Sequence, residues 1–402
     1  MPFAARRPTG SSRLAQAVVI ASVLALGACN TGGGGPTAGL FGGEKQTTAA
    51  PPPNNPPVIG AGGVKIAMIL PTTAGGQSGQ LAQQLKNAAD LAVQEFPGAN
   101  IQIVVKDDGG TTEGGQAAAS QAVGEGAQLI IGPLNAVAAR GVAGPARQAG
   151  VPVVTFTTDT SVASRGVYLI GFLPSTDVER IVAFAASQNR RSFAALVPDD
   201  AYGSVTEAAF RQAAAQANVR ILGIERYRDA TEMTAKAQTI AKLGGQIDAV
   251  FVPDVAQNAA MAVQAMTGAG LDPRKVKFLG TGRWNDPAAL ASPALVGAWY
   301  PAVDPAKVDG FKARYRQTYG GEASPLAVLG YEAVFLAAGL VRNAGPNPFR
   351  EDVLLSRNGF LGATGVFRFR PDGISERGLA VFEITQGGSK MVGPAEKAFN
   401  GT

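Results

Sequence analysis

The chain has 402 residues, 46% of them apolar, which is enough for more than one packed core. It has no His, excluding Ser-His-Asp and Cys-His catalysis and imidazole metal sites, and its single Cys excludes an internal disulfide, a CxxC pair and an iron–sulfur site. The formal charge is +5, but Arg6, Arg7 and Arg13 lie in the acid-free stretch 1–28, which leaves +2 on the rest; no nucleic-acid partner is expected.

Those three arginines precede an apolar run at 14–26 (LAQAVVIASVLAL), short for a bilayer span and the length of a secretory h-region. The run ends in Leu26-Gly27-Ala28-Cys29, which resembles a bacterial lipobox. That resemblance implies a signal peptide at 1–28 and an acylated Cys29 as the mature N-terminus. Its acyl chains, at about 0.8 kcal/mol per buried CH₂, would hold the protein on a membrane surface. Asn30 rather than Asp follows the Cys, which in Gram-negative lipoproteins goes with sorting to the outer membrane. Residues 29–57 lack apolar periodicity and are dominated by Gly, Pro, Thr and Asn. They read as a disordered tether with a reach of about 30 Å.

From Val64 strands and helices alternate. Val64–Leu70 is an apolar strand closed by Pro71, and Leu81, Leu85, Ala88 and Ala92 recur at helical spacing. A strand at 101–106 ends in Asp107-Asp108-Gly109-Gly110. The two acids are read as closing the strand and capping the next helix, not as metal ligands or an acid pair, and no metal is expected. An Ala-rich helix to Gly124 leads to a strand at 128–131 and Gly132-Pro133. A further helix and strands at 151–155 and 167–172 follow.

The rhythm resumes after Leu173-Pro174. Helices at 178–187, 205–216, 234–243 and 256–267 alternate with strands at 193–197, 220–227, 249–252, 276–279 and 294–300. Such alternation indicates parallel sheets covered by helices on both faces, and the length indicates two doubly wound α/β lobes. Helices at 308–319 and 327–342, a hairpin turning at Asp372-Gly373 and a strand at 379–384 complete the chain. Gly109-Gly110 and Gly114-Gly115 match neither GxGxxG nor GxxxxGK[ST], and Ser204 and Lys242 lack a recognisable base or partner. No catalytic residue and no cofactor are expected.

The ordered set Lys65 to Pro71, Asp107-Asp108, Ile131-Gly132-Pro133, 150–155, Asp200-Ala201-Tyr202-Gly203, Gly330-Tyr331-Glu332-Ala333 and 362–373 resembles the type I periplasmic binding proteins, in particular the leucine/isoleucine/valine-binding branch. The resemblance runs from Gly63 to Gly393. It implies two α/β lobes joined by three crossovers, near 172–174, near 300–303 and after Gly373, that close on a ligand by a hinge. Lobe 1 would comprise 58–173 and 301–375, lobe 2 would comprise 174–300 and 376–393, and 394–402 would form a tail.

Ligands in open α/β sheets bind beyond the carboxyl ends of the strands. Among the loops there, the resemblance implies a cleft formed by Thr72, Thr73, Asn135, Ala136, Thr157, Thr158, Asp159, Tyr202, Val255 and Gly282, together with Trp284, whose ring either stacks on a ligand or packs within its lobe. Several depart from the family pattern. Ala136 stands where a Ser helps to hold the ligand carboxylate, Asp159 where a Thr also serves the ligand head group, Gly282 where an acid meets the ligand ammonium, and Val255 at a cleft Tyr. Only Tyr202 stands as the resemblance expects. Each lost charge-assisted bond costs roughly 1.5–3 kcal/mol, and Asp159 would repel a carboxylate, so a standard branched-chain amino acid is not the expected ligand.

Two functions remain. One is a lipid-tethered solute receptor on the periplasmic face, presenting a small polar ligand to an ABC permease. The other resembles the penicillin-binding protein activators, lipoproteins that stimulate a peptidoglycan synthase from the outer membrane; the helical N-terminal repeat domain of some activators is replaced here by the short tether.

Overall fold

The computed structural model describes residues 57–399; the expected signal peptide, Cys29 and all of the expected tether but Pro57 lie outside them. The chain begins with β1 (Val58–Ile59), β2 (Val64–Leu70), α1 (Gly76–Glu95), β3 (Ile101–Asp107), α2 (Thr112–Gly124), β4 (Leu129–Ile131), α3 (Ala136–Ala149), β5 (Val153–Thr155) and β6 (Val167–Leu169). These strands make one sheet in the order β1-β3-β2-β4-β5-β6, parallel except for β1. Period-2 alternation splits β2 between two cores. Ile66, Met68 and Leu70 face the cluster around α1, whereas Ala67 and Ile69 face that of α2 and α3.

The chain then crosses to the second lobe. There α4 (Pro174–Ser187), β7 (Ser192–Pro198), α5 (Ala201–Gln216), β8 (Arg220–Tyr227), α6 (Ala230–Ala241), β9 (Ala249–Phe251), α7 (Ala256–Gly268), β10 (Lys277–Leu279), α8 (Pro287–Leu290) and β11 (Trp299–Ala302) follow. It returns through α9 (Pro305–Tyr319), α10 (Val328–Asn343) and α11 (Glu351–Leu354) to a small antiparallel sheet of β12 (Phe360–Gly362), β13 (Gly365–Phe369) and β14 (Ser375–Arg377). A third crossing delivers β15 (Ala380–Thr385) and β16 (Gly388–Gly393) to the second large sheet, whose order is β16-β15-β11-β10-β9-β7-β8.

The molecule is thus two α/β lobes. In each, the strand order reverses around one strand: β2 lies between β3 and β4, and β7 between β8 and β9. Those two switch points set where a ligand can approach the strand ends. Helices α9 and α10 join the first lobe, where Phe311, Tyr315 and Leu329 pack in the same cluster as Leu85 of α1.

Local differences from the sequence expectations have local causes. The strand expected at 294–300 is a 3₁₀ turn at Pro293–Leu295 followed by a strand that begins only at Trp299, because Pro293 starts the turn and Gly297 turns the chain at φ +85°. The strand expected at 167–172 stops at Leu169 as the backbone leaves the sheet for the crossover. Asp108 closes its turn by accepting Gly110 N–H at 2.7 Å, but the helix cap belongs to Thr111, which accepts Gly114 N–H at 2.9 Å. The Asp372-Gly373 turn forms between antiparallel β13 and β14, with Gly373 at φ +85°.

Candidate functional site

On the first lobe, Thr72 and Thr73 follow β2, but their hydroxyls are committed to Asp107 at 2.9 and 2.6 Å. Burial pulls the Asp107 carboxyl up, and the hydrogen bonds from Thr73 and Thr72 outweigh it and hold the group below its ordinary value. These threonines brace the strand ends and line none of the cavities described below. Asn135 caps α3 by accepting Ala138 N–H at 3.0 Å. Asn135, Ala136, Thr157 and Thr158 share a cavity of about 310 Å³ with Phe156 and Phe172.

Asp159 is placed differently from the sequence expectation. It accepts Ser161 N–H at 2.9 Å and pairs with Arg140 at 2.9 Å. The bonds from Ser161 and the Arg140 guanidinium hold its carboxyl low. It lines neither cleft cavity. The repulsion expected against a ligand carboxylate is therefore already answered within its own lobe.

On the second lobe, Asp200 caps α5 through Gly203 N–H at 2.7 Å. A Cβ on Gly203 would lie 1.8 Å from the Pro198 carbonyl oxygen, so only glycine lets the helix start this close to β7. This fixes Tyr202, whose hydroxyl shares a 2.9 Å hydrogen bond with Thr281 and whose ring carries the Arg283 guanidinium 3.3 Å from its centroid. Burial pushes the Tyr202 phenol up to about 12. The backbone N–H of Gly282 donates to Asp177 at 2.9 Å.

Two expected cleft residues need correction. Trp284 is fully buried; its Nε1–H donates to the Asp254 carbonyl at 3.0 Å, and its ring lies over Gly280. It packs within its lobe and offers no face to a ligand. A Cβ at Gly280 would sit 2.1 Å from the indole Cδ2. Gly280→Ala is therefore expected to cost about 1–3 kcal/mol in urea denaturation through overpacking. Val255 is 45% exposed, but it precedes α7 and lines no cleft cavity.

A cavity of about 570 Å³ lies between the lobes. The second lobe contributes Asp177, Tyr202, Gly282, Arg283 and Asn285, and the first Thr158, Lys312 and Ser324. Phe172, Phe311, Val308 and Val328 make its apolar wall, and the crossover residues Pro174, Ala302 and Leu379 line it too. Thr158 and Phe172 also border the smaller cavity, so the two form adjoining parts of one cleft. Among the sequence-expected residues, Thr158, Tyr202 and Gly282 meet in the main cavity.

Sequence reasoning missed Asp177, Arg283 and Lys312. Asp177 stands in the first turn of α4, where an acid reads as ordinary helix-dipole complement. Its partner is a loop 105 residues away. Burial pushes its carboxyl up to about 7, with the Gly282 N–H pulling the other way. A Cβ on Gly282 would lie 2.9 Å from Asp177 Oδ2. The glycine where the resemblance expects an acid thus makes room for an acid from α4.

Among the described residues no cluster of three or more His, Cys, Asp or Glu could hold a metal, and no helix is long and apolar enough to cross a membrane.

A family model described as periplasmic binding protein matches residues 63–389. No curated protein is significantly similar to the chain. Among solved structures, the leucine-binding protein LivK of Thermotoga maritima is similar at 20% identity and TM-score 0.55, covering 84% of this chain and 99% of its own. A solute-binding protein of an ABC transporter from Rhodopseudomonas palustris, in complex with 3,4-dihydroxybenzoic acid, is similar at 21% identity and TM-score 0.56, covering 84% of this chain and 98% of its own. The C-domain of LpoA from Haemophilus influenzae, described as a regulator of PBP1A, is similar at 16% identity and TM-score 0.64, covering 82% and 99%. The structural likenesses show the same two-lobed fold, and the family match over most of the chain places it among the periplasmic binding proteins.

Proposed function

We propose that this protein is a non-catalytic receptor of the periplasmic face, moored to a membrane through lipid on Cys29, whose lobes 58–173 with 301–375 and 174–300 with 376–393 close on a small polar ligand for delivery to an ABC permease. The observation that carries this reading is the cleft cavity of about 570 Å³ with a carboxylate, a phenol, an amide and two cations set around an apolar wall. Its size and mixed lining suit a small ligand with a few fixed polar groups. Asp177 restores an acidic partner for an amine, amide or other donor group, and Arg283 and Lys312 offer charge to an opposing carboxylate. With Ala136 where the family's carboxylate-holding Ser stands and the acid supplied from α4 instead of position 282, the ligand this reading expects is not a standard branched-chain amino acid.

A ligand present at 100 times its Kd adds about 2.7 kcal/mol to stability. The receptor should therefore show a clear rise in melting temperature with at least one member of a panel of amines, amino acids, amides, peptides and muropeptides. A panel without a single shift would remove the receptor reading.

The second reading, a penicillin-binding protein activator, is favoured by the LpoA C-domain likeness and by the outer-membrane address implied by Asn30. It predicts that the purified protein retains a bifunctional penicillin-binding protein and raises its transpeptidation; a pair showing neither effect eliminates it.

A further inference from the structure

A separate cavity of about 440 Å³ opens on the first lobe at the amino ends of β5 and β6, the opposite end of the sheet from the cleft. Its inner wall includes the buried side chains of Ala146, Val167, Tyr168, Phe349 and Leu354. Around this apolar floor stand three guanidinium groups, those of Arg147, Arg165 and Arg350, against one carboxylate, that of Glu351. Arg165 pairs with Glu351 at 2.5 Å, and Arg350 with Asp352 at 2.7 Å. Asp352 does not line the cavity, and Arg147 makes no side-chain hydrogen bond or ion pair with any described residue.

We infer that this basin is a second ligand site, independent of the cleft, for a small monocarboxylate with an apolar body. Guanidinium groups match a carboxylate with paired, in-plane N–H donors, and the cavity is large enough for a small organic molecule. Its net positive lining selects an anion, while its aromatic and aliphatic floor selects against a bare inorganic one. Arg147 also lies in the last turn of α3, where a cation complements the helix dipole. That role alone would leave ligand binding untouched.

The test is fluorine NMR of 6,6,6-trifluorohexanoate titrated into the whole chain, with Arg147→Ala/Arg350→Ala and Tyr202→Phe as the two comparison variants. Neither the two arginine side chains nor the Tyr202 hydroxyl takes part in the Arg165–Glu351 pair. Saturable binding that weakens roughly tenfold or more in the double arginine variant, and is unchanged in Tyr202→Phe, is the expected result. The site is overturned by an absence of saturable binding, by equal binding to the double arginine variant, or by loss of binding in Tyr202→Phe alone. Displacement of the probe by inorganic phosphate at equal concentration would show attraction by charge alone and overturn the assignment of an apolar-bodied ligand.

Discussion

Replacing Arg377 with Met is expected to cost about 3–5 kcal/mol of stability, read as a fall in the urea midpoint. Arg377 is 6% exposed and pairs at 2.7 Å with Glu332, which is fully enclosed. The Glu332 carboxylate also accepts the Thr364 hydroxyl at 2.6 Å and its backbone N–H at 3.2 Å. The Arg377 guanidinium donates to the Thr364 hydroxyl and, at 2.8 Å, to the Ile170 carbonyl, and it lies 5.1 Å from the Phe172 ring centroid and 5.2 Å from that of Phe367. One side chain thus ties the first and third crossovers to α10. Removing it leaves Glu332 charged and uncompensated in the interior, which is the expensive way to break a buried pair. Glu332→Gln/Arg377→Met removes both charges and should recover a large part of the loss, giving a coupling energy well above the few tenths expected for independent sites. A single-variant cost below about 1 kcal/mol would show that the pair does not secure the hinge.

This network also shows what the sequence made legible. The motif at 330–333 and the glycine-rich stretch at 362–373 were visible as separate marks of the fold. Their physical connection was not, because it depends on Glu332 crossing between α10 and the loop at Gly362 to Gly365. A Cβ on Gly362 would meet Glu332 Oε1 at 2.1 Å, so glycine at one motif is required by the acid in the other. Short apolar strands bounded by turn residues disclosed both sheets and their parallel character, since buried strands such as β7 are apolar on both faces. Elements that carry little apolar pattern escaped. β1 has two residues and gains its place by pairing with Ile103 and Val104, and β16 is a polar edge strand held by β15. The candidate site was legible where backbone chemistry decides it, as at Tyr202 and Asn135. It was illegible where a tertiary partner decides it: Arg140 draws Asp159 aside, the bare Gly280 backbone admits Trp284 to the core, and the 282 loop meets Asp177.

Asp177→Asn is expected to weaken binding of an amine-bearing ligand roughly 10- to 150-fold, the equivalent of about 1.5–3 kcal/mol for a hydrogen bond to a charged group. The carboxyl faces the cleft cavity and titrates near 7, against an ordinary value of 3.8. Below that point it is neutral and offers a cation no charge; above it the carboxylate is present. Wild-type affinity for an amine should therefore climb about tenfold per pH unit up to about 7 and then level off, while the Asn variant should give a flat profile. The ligand-free protein should behave in the opposite sense. Because the folded-state pKa is raised, the stabilising contribution of the neutral acid is complete below about 4 and is lost as pH rises through about 7. Asn removes that loss, so the variant should gain stability relative to wild type at pH 8 while losing affinity. A merely structural role for Asp177, such as holding the Gly282 N–H, predicts a destabilised variant at pH 8 instead. Unchanged affinity in the variant, or a wild-type binding profile without a step near pH 7, would show that the carboxylate does not meet the ligand.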